Sequence, residues 1–198
     1  MQAYNSAFAR IYNERWADHA RYVAPILRAY YESTPSGAED RRLLDLCCGT
    51  GQLAVHFAEQ GYTVTGLDLS EPMLRHAREN AAPYVASGQV RFVQGDAADF
   101  TLDECYGLVV STFDALNHLP GKEALRGCFQ SVHALVVPGG FFVFDLNTHR
   151  GLARWNGINV RDMPDTLVID RGIYDGESDR AWVKITGFVR TENGLYER

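Results

Sequence analysis

Asp45-Leu46-Cys47-Cys48-Gly49-Thr50-Gly51-Gln52 decides how this chain folds. It closes a short apolar run, 42–47 (RLLDLC), and opens a helical stretch over about 52–60 that Gly61 ends. A strand that runs through a glycine turn into a helix is half of a βαβ unit. The glycines let the backbone turn tightly and leave the main chain open to a ligand. The first turn of the helix presents free N–H groups and a partial positive charge, which suit a carboxylate or a pyrophosphate.

The same grammar repeats downstream. The runs 62–67, 89–94, 106–112 and 141–146 read as strands, and 71–82 and 122–136 as helices, the last stopping before Pro138-Gly139-Gly140. Strands that alternate with helices predict a parallel sheet with right-handed crossovers and a ligand site at the carboxyl ends of its strands. The polar residues cluster at those ends: Asp45 to Gly51, Asp68, Asp96, Ser111 to Asp114, and Asp145 to Asn147. The expected class is therefore α/β, a doubly wound, Rossmann-like parallel sheet. After residue 150 the pattern changes. The runs 166–174 and 180–190, separated by Asp175-Gly176, and a further start at Leu195-Tyr196 read as an antiparallel β-insertion. At the other end, Tyr4, Phe8, Tyr12 and Trp16, then Tyr22, Ile26 and Tyr30, fall at helical spacing before a turn-rich linker over 33–40. The expected parts are an N-terminal helical lid (1–40), an α/β core (41–150) and an antiparallel β-cap (151–198). The cap stops inside a strand at Glu197-Arg198. That suggests truncation, or completion by a partner such as the second copy of a homodimer.

Composition narrows the partners. The chain has 198 residues and a formal net charge of -6, which argues against nucleic acid, since phosphate binding wants a basic face. The four cysteines, Cys47, Cys48, Cys105 and Cys128, form no CxxC pair and no zinc-ligand spacing with histidine, so no metal is expected. They suit a reducing cytoplasm. The N-terminus has no apolar core, and no apolar run approaches the ~20 residues of a membrane span, so neither a signal peptide nor membrane association is expected.

A carboxylate after the second strand, Asp68, can accept both hydroxyls of a ribose, so the ligand is expected to be a nucleoside. Gly49-Thr50-Gly51-Gln52-Leu53-Ala54 formally fits the dinucleotide pattern GxGxxG/A. Asp45 argues against a pyrophosphate at that turn and for a cationic group. No second region offers the histidine, lysine or tyrosine of a dehydrogenase.

Five segments together resemble the class I methyltransferases that use S-adenosylmethionine (SAM). These are LLDLCCGTGQLA, VTGLDLSEPMLRHAREN, VRFVQGDAADF, LVVSTFDALNHLP and LVVPGGFFVFDLN, which cover about residues 41–147 in order and spacing. The aromatic lead-in YNSAFARIYNERWADHARY also resembles that of small-molecule N-methyltransferases. The resemblance implies SAM as cofactor, S-adenosylhomocysteine as product and methyl transfer to N or O of a small-molecule acceptor. Asp45, Gly49 and Gly51 would then hold the methionine portion. Asp68 would bind the ribose, and Leu69 and Met73 would line the adenine. Asp96 would accept from the adenine amino group, and the Ala97 backbone N–H would be offered to the ring. Ser111 to Phe113 would lie beside the sulfonium, and Tyr12 and Trp16 would close over the methyl donor. Cys47-Cys48 stands where the family more often has a small residue and glycine.

Methyl transfer from a sulfonium asks mainly for alignment and desolvation. A base is needed only for a protonated nucleophile, and His118, after the fourth strand, is the catalytic candidate. Plainer readings compete. Asp45 could cap a helix, Ser70 reads as an N-cap, Met73 could be core, and the Tyr4–Trp16 stripe could be packing. Two other functions compete as well: a nicotinamide-dependent oxidoreductase, and a noncatalytic SAM-binding domain.

Overall fold

The computed structural model describes residues 5–191 and 193–197, so Tyr4 of the aromatic stripe and Arg198 lie outside the described residues. The chain divides into two units, 1–146 and 147–198.

In the first unit, helices α1 (Ser6–Arg15), α2 (Ala17–Glu32) and α3 (Pro35–Glu39) precede β1 (Arg42–Leu46). Then come α4 (Gln52–Glu59), β2 (Thr63–Asp68), α5 (Glu71–Asn80), α6 (Ala82–Ala86), β3 (Val90–Gln94), β4 (Tyr106–Ser111), α7 (Lys122–Leu135) and β5 (Val136–Phe144). The five strands form one sheet in the order β3-β2-β1-β4-β5. Every pairing in it is parallel. The order reverses between β1 and β4, and at such a switch point the chain leaves the sheet in opposite directions and opens a crevice.

Both faces of the sheet are covered, which explains why its strands are continuous apolar runs. Leu43, Val64, Leu108 and Val110 pack on one side with Ala24, Leu27 and Tyr31 of α2 and Ala54 and Phe57 of α4. Leu44, Leu46, Leu67 and Val109 pack on the other with Cys128, Val132 and Leu135 of α7. Truncating such a residue, for example Leu44→Ala, costs ~2–5 kcal/mol.

Tyr22, Ile26 and Tyr30 lie on one helix, as their spacing predicts, and form its exposed face. The residues α2 buries are the smaller Ala24 and Leu27, together with Tyr31. Tyr31 is fixed by its hydroxyl, which donates to the Asp40 carbonyl at 2.9 Å. Burial, and then the nearby Asp40 charge, push its pKa up to about 12. The fifth strand starts at Val136 and not after the Pro-Gly-Gly turn, because Val136 already pairs with Tyr106. The register then slips before Leu108 meets Phe141, so Pro138-Gly139-Gly140 is an irregularity inside the strand. The helix expected over 71–82 ends at Asn80, and a separate short helix, α6, follows.

The second unit holds α8 (His149–Leu152) and an antiparallel sheet in the order β6-β7-β8-β9, from Gly157–Met163, Thr166–Asp175, Arg180–Arg190 and Tyr196–Glu197. Strand β6 was not foreseen. All seven of its residues pair with β7.

Candidate active site

The glycine turn lies at the carboxyl end of β1, at the switch point. Gly49 and Gly51 adopt φ of 55° and 80°. That region is open to glycine and costly for other residues. At Gly51 a Cβ would also lie 3.0 Å from the Ala77 Cβ and from the Phe92 ring. At Gly49 it would sit 3.4 Å from the Tyr12 ring. The turn thus brings bare backbone under an aromatic side chain. Cys47 shares the left-handed conformation, with φ of 62°.

Asp68 holds the turn together. One carboxylate oxygen accepts the Gly49 N–H at 2.9 Å and the other accepts the Ser70 N–H at 2.8 Å. Ser70 is the N-cap of α5, as expected, and accepts the Met73 N–H. Burial raises the pKa of Asp68, and the N–H groups of Ser70, Gly49 and Leu69 pull it back. Asp45 is only 3% exposed, and its Oδ2 is buried with no hydrogen-bond partner. Burial, then the Asp68 charge, push its pKa up to about 7 against the Ala54 N–H.

A polar network pins α1 to this turn. The Asn13 side-chain Oδ1 accepts from Gln52 Nε2 at 2.8 Å and from Asn80 Nδ2 at 2.7 Å. Asn80 Nδ2 also donates to the Thr50 carbonyl at 2.8 Å, and the Thr50 hydroxyl donates to Gln52 Oε1 at 2.7 Å. Above the turn, Tyr12, His19, Asp45, Cys47, Gln52 and Phe113 line one cleft. Trp16 sits between α1 and α2, 6.0 Å from Tyr12 between ring centroids. Phe113 follows β4 with φ of 65° and touches Tyr12 at 6.2 Å and His19 at 4.5 Å.

The other sequence-derived residues are distributed along the same sheet edge. Leu69 is 61% exposed just after Asp68, whereas Met73 is buried at 2%. Asp96 is exposed after β3, and its Oδ1 accepts the Ala98 N–H at 2.8 Å. Ala97 is buried against the α7 side of the core. Ser111 is buried at the end of β4, with its hydroxyl beside the Cys47 thiol. His118 is exposed at the end of a 3-10 turn, Ala115–His118. Sequence reasoning missed Asn13, His19, Gln52 and Asn80. His19 lies seven residues after Tyr12 and three after Trp16, a spacing that a helix would bring to one face.

A buried carboxylate oxygen without a donor is costly and calls for a cationic or N–H partner. The residues present therefore fit a ligand with an ammonium group at Asp45, diol hydroxyls at Asp68 and a small, close contact at Gly49.

Comparison with known proteins decides the family. Residues 43–140 match the family model described as "Methyltransferase domain". Over 179 residues the chain is 32% identical to the ubiquinone biosynthesis O-methyltransferase of Escherichia fergusonii, which covers 89% of this chain and 71% of that protein. The chain belongs to the class I SAM-dependent methyltransferases. With that membership the nicotinamide alternative falls, and the GxGxxA match is accounted for by the methyltransferase glycine turn. The chain is also 33% identical over 134 residues to the dTDP-3-amino-3,4,6-trideoxy-alpha-D-glucopyranose N,N-dimethyltransferase of Streptomyces venezuelae, covering 68% of this chain and 53% of that protein. Among solved structures it resembles SAM-bound CalS10, an amino pentose methyltransferase from Micromonospora echinaspora. That similarity has a TM-score of 0.64 at 25% identity and covers 98% of this chain and 78% of the other. The chain spans only 44% and 64% of two further curated relatives, from Bacillus subtilis and Geobacillus. Among the described residues, no helix of this methyltransferase is long and apolar enough to cross a membrane.

Proposed function

We propose that this protein transfers a methyl group from SAM to an amine nitrogen of a small-molecule acceptor of the amino-sugar class. The observation that carries the cofactor side is the buried, unpartnered Asp45 Oδ2 beside Asp68 at the glycine turn. The nitrogen acceptor is supported by the amino-sugar relatives and by the aromatic rings of Tyr12 and Phe113 that line the cleft, whose faces favour cations. The ubiquinone biosynthesis O-methyltransferase relative favours a second reading, an oxygen acceptor.

SAM supplies an already activated methyl group, so the chain's own residues mainly bind, orient and exclude water. Asp45 takes the methionine ammonium, and the backbone at Gly49 and Gly51 borders the methionine chain. Asp68 accepts the ribose hydroxyls while keeping its two N–H bonds. Leu69 and Met73 flank the adenine, with Asp96 and the Ala97 N–H at its edge. Ser111 and Phe113 border the reacting centre, and Tyr12 and Trp16 shield it from water. His118 takes the proton from an amine that arrives as its ammonium, which frees the lone pair that attacks the methyl group.

The test is a methylation assay with mass detection on a panel of amino sugars and a matched panel of catechols. Methylated amine is expected, with turnover lowered at least ~10-fold in His118→Asn. Methylated catechol alone would replace the nitrogen acceptor by oxygen. Cofactor binding without product on either panel would leave only a SAM-binding domain.

A further inference from the structure

Phe113 takes a backbone conformation that L residues avoid, and it is not alone: Asp114 follows with φ of 50°. Two consecutive left-handed residues persist only where their surroundings hold them. Two contacts do so. The Asp114 N–H donates to Asp145 Oδ2 at 2.8 Å, which fixes the backbone from the end of β5. The Phe113 ring is held from the other side by His19, nearly parallel at 23° with centroids 4.5 Å apart. The Phe113 ring also meets Tyr12, whose own ring lies over Gly49. A chain of rings therefore crosses the cleft from the β4 turn to the glycine turn. The first turn of α2, which carries His19, is its outer anchor.

We infer that His19 is a positioning residue: its ring, stacked on Phe113, holds the cleft closed and sets how long the nucleoside ligand stays bound. Tyr12, His19 and Phe113 line the same cleft as Asp45, so a ligand held on Asp45 passes the Tyr12–Phe113 contact if it leaves through that cleft. Parting them rotates Phe113 away from His19 and forfeits the stack. His19 thus acts through Phe113, on the rate of release more than on the contacts of the bound state. This inference rests on the SAM-site reading of the cleft.

The experiment uses the full chain and S-adenosylhomocysteine, chased with excess sinefungin and followed by intrinsic tryptophan fluorescence in stopped flow. Aromatic pairs contribute enough that His19→Ala and Phe113→Ala should each speed dissociation about fivefold. His19→Phe, which keeps a stacking ring, should dissociate within about twofold of the wild-type rate. Thermal melts of all variants confirm that each is folded at the assay temperature. Equal dissociation rates in wild type and His19→Ala would overturn the inference alone. So would a rate raised as much in His19→Phe as in His19→Ala. Absence of binding by the wild-type protein would instead remove the cofactor reading and this inference together.

Discussion

At the carboxyl ends of two neighbouring strands, β1 and β4, the chain turns through left-handed backbone by opposite means. After β1 the turn uses Gly49 and Gly51, with Cys47 as the one strained side chain. After β4 it uses Phe113 and Asp114 and no glycine. A left-handed L residue costs roughly 1–2 kcal/mol. The glycine turn avoids most of that cost and leaves bare backbone beneath the Tyr12 ring. The β4 turn bears the cost and gains a ring aimed at the cleft, secured by Asp145 and His19. On the proposed reading, the β1 turn receives a ligand where Gly49 and Gly51 carry no side chain, and the β4 turn closes on it with a large one.

The contrast can be broken most severely at Gly51. Gly51→Ala combines left-handed strain with a Cβ 3.0 Å from Ala77 and Phe92. Chemical denaturation should show a loss of ~3 kcal/mol. A loss below ~1 kcal/mol would mean that the turn is not held in this shape. The acid of the β1 turn comes next. The folded-state pKa of Asp45 is raised to about 7, above its ordinary carboxylate value. An acid raised in this way keeps its proton in the fold. Its contribution to stability is complete below the unfolded value and is lost as pH rises through about 7. Asp45→Asn removes that titration. It should match wild type near pH 4 and exceed it by ~2 kcal/mol at pH 8, as read by denaturation at both pH values. An equal difference at both would sink the assignment. The mildest test is Cys47→Gly, which relieves the remaining strain in the β1 turn. A gain of ~0.5 kcal/mol is expected after the extra entropy of an unfolded glycine, and a clear loss would show that the thiol's packing outweighs the strain.

Much of this was legible because it is local. The apolar strand, the Gly49-Thr50-Gly51 turn and Asp68 after the next strand are patterns of neighbours, and they placed the parallel sheet and its switch point. What escaped depends on tertiary packing. Helical spacing placed Tyr22, Ile26 and Tyr30 on one helix without saying which face it buries, and α2 packs into the core through Ala24, Leu27 and Tyr31. Val136 and Val137 are consistent with either a helix end or a strand, and pairing with Tyr106 decides for strand. Asn13 and Asn80 are 67 residues apart, and nothing near either one predicts that they meet at the glycine turn. His19 was within reach, since the helical phase that aligns Tyr12 with Trp16 also includes it, but only the position of Phe113 gives it a partner.

The central claim is that the β1 turn and Asp68 form a nucleoside site for SAM. Isothermal titration with S-adenosylhomocysteine, with NAD in parallel and Asp68→Ala as the variant, tests it most directly. The account predicts binding on the order of micromolar for S-adenosylhomocysteine, none for NAD, and a loss of ~100-fold or more in the variant, whose turn also loses the Gly49 and Ser70 anchors. Binding of NAD instead, or full affinity in Asp68→Ala, would contradict it.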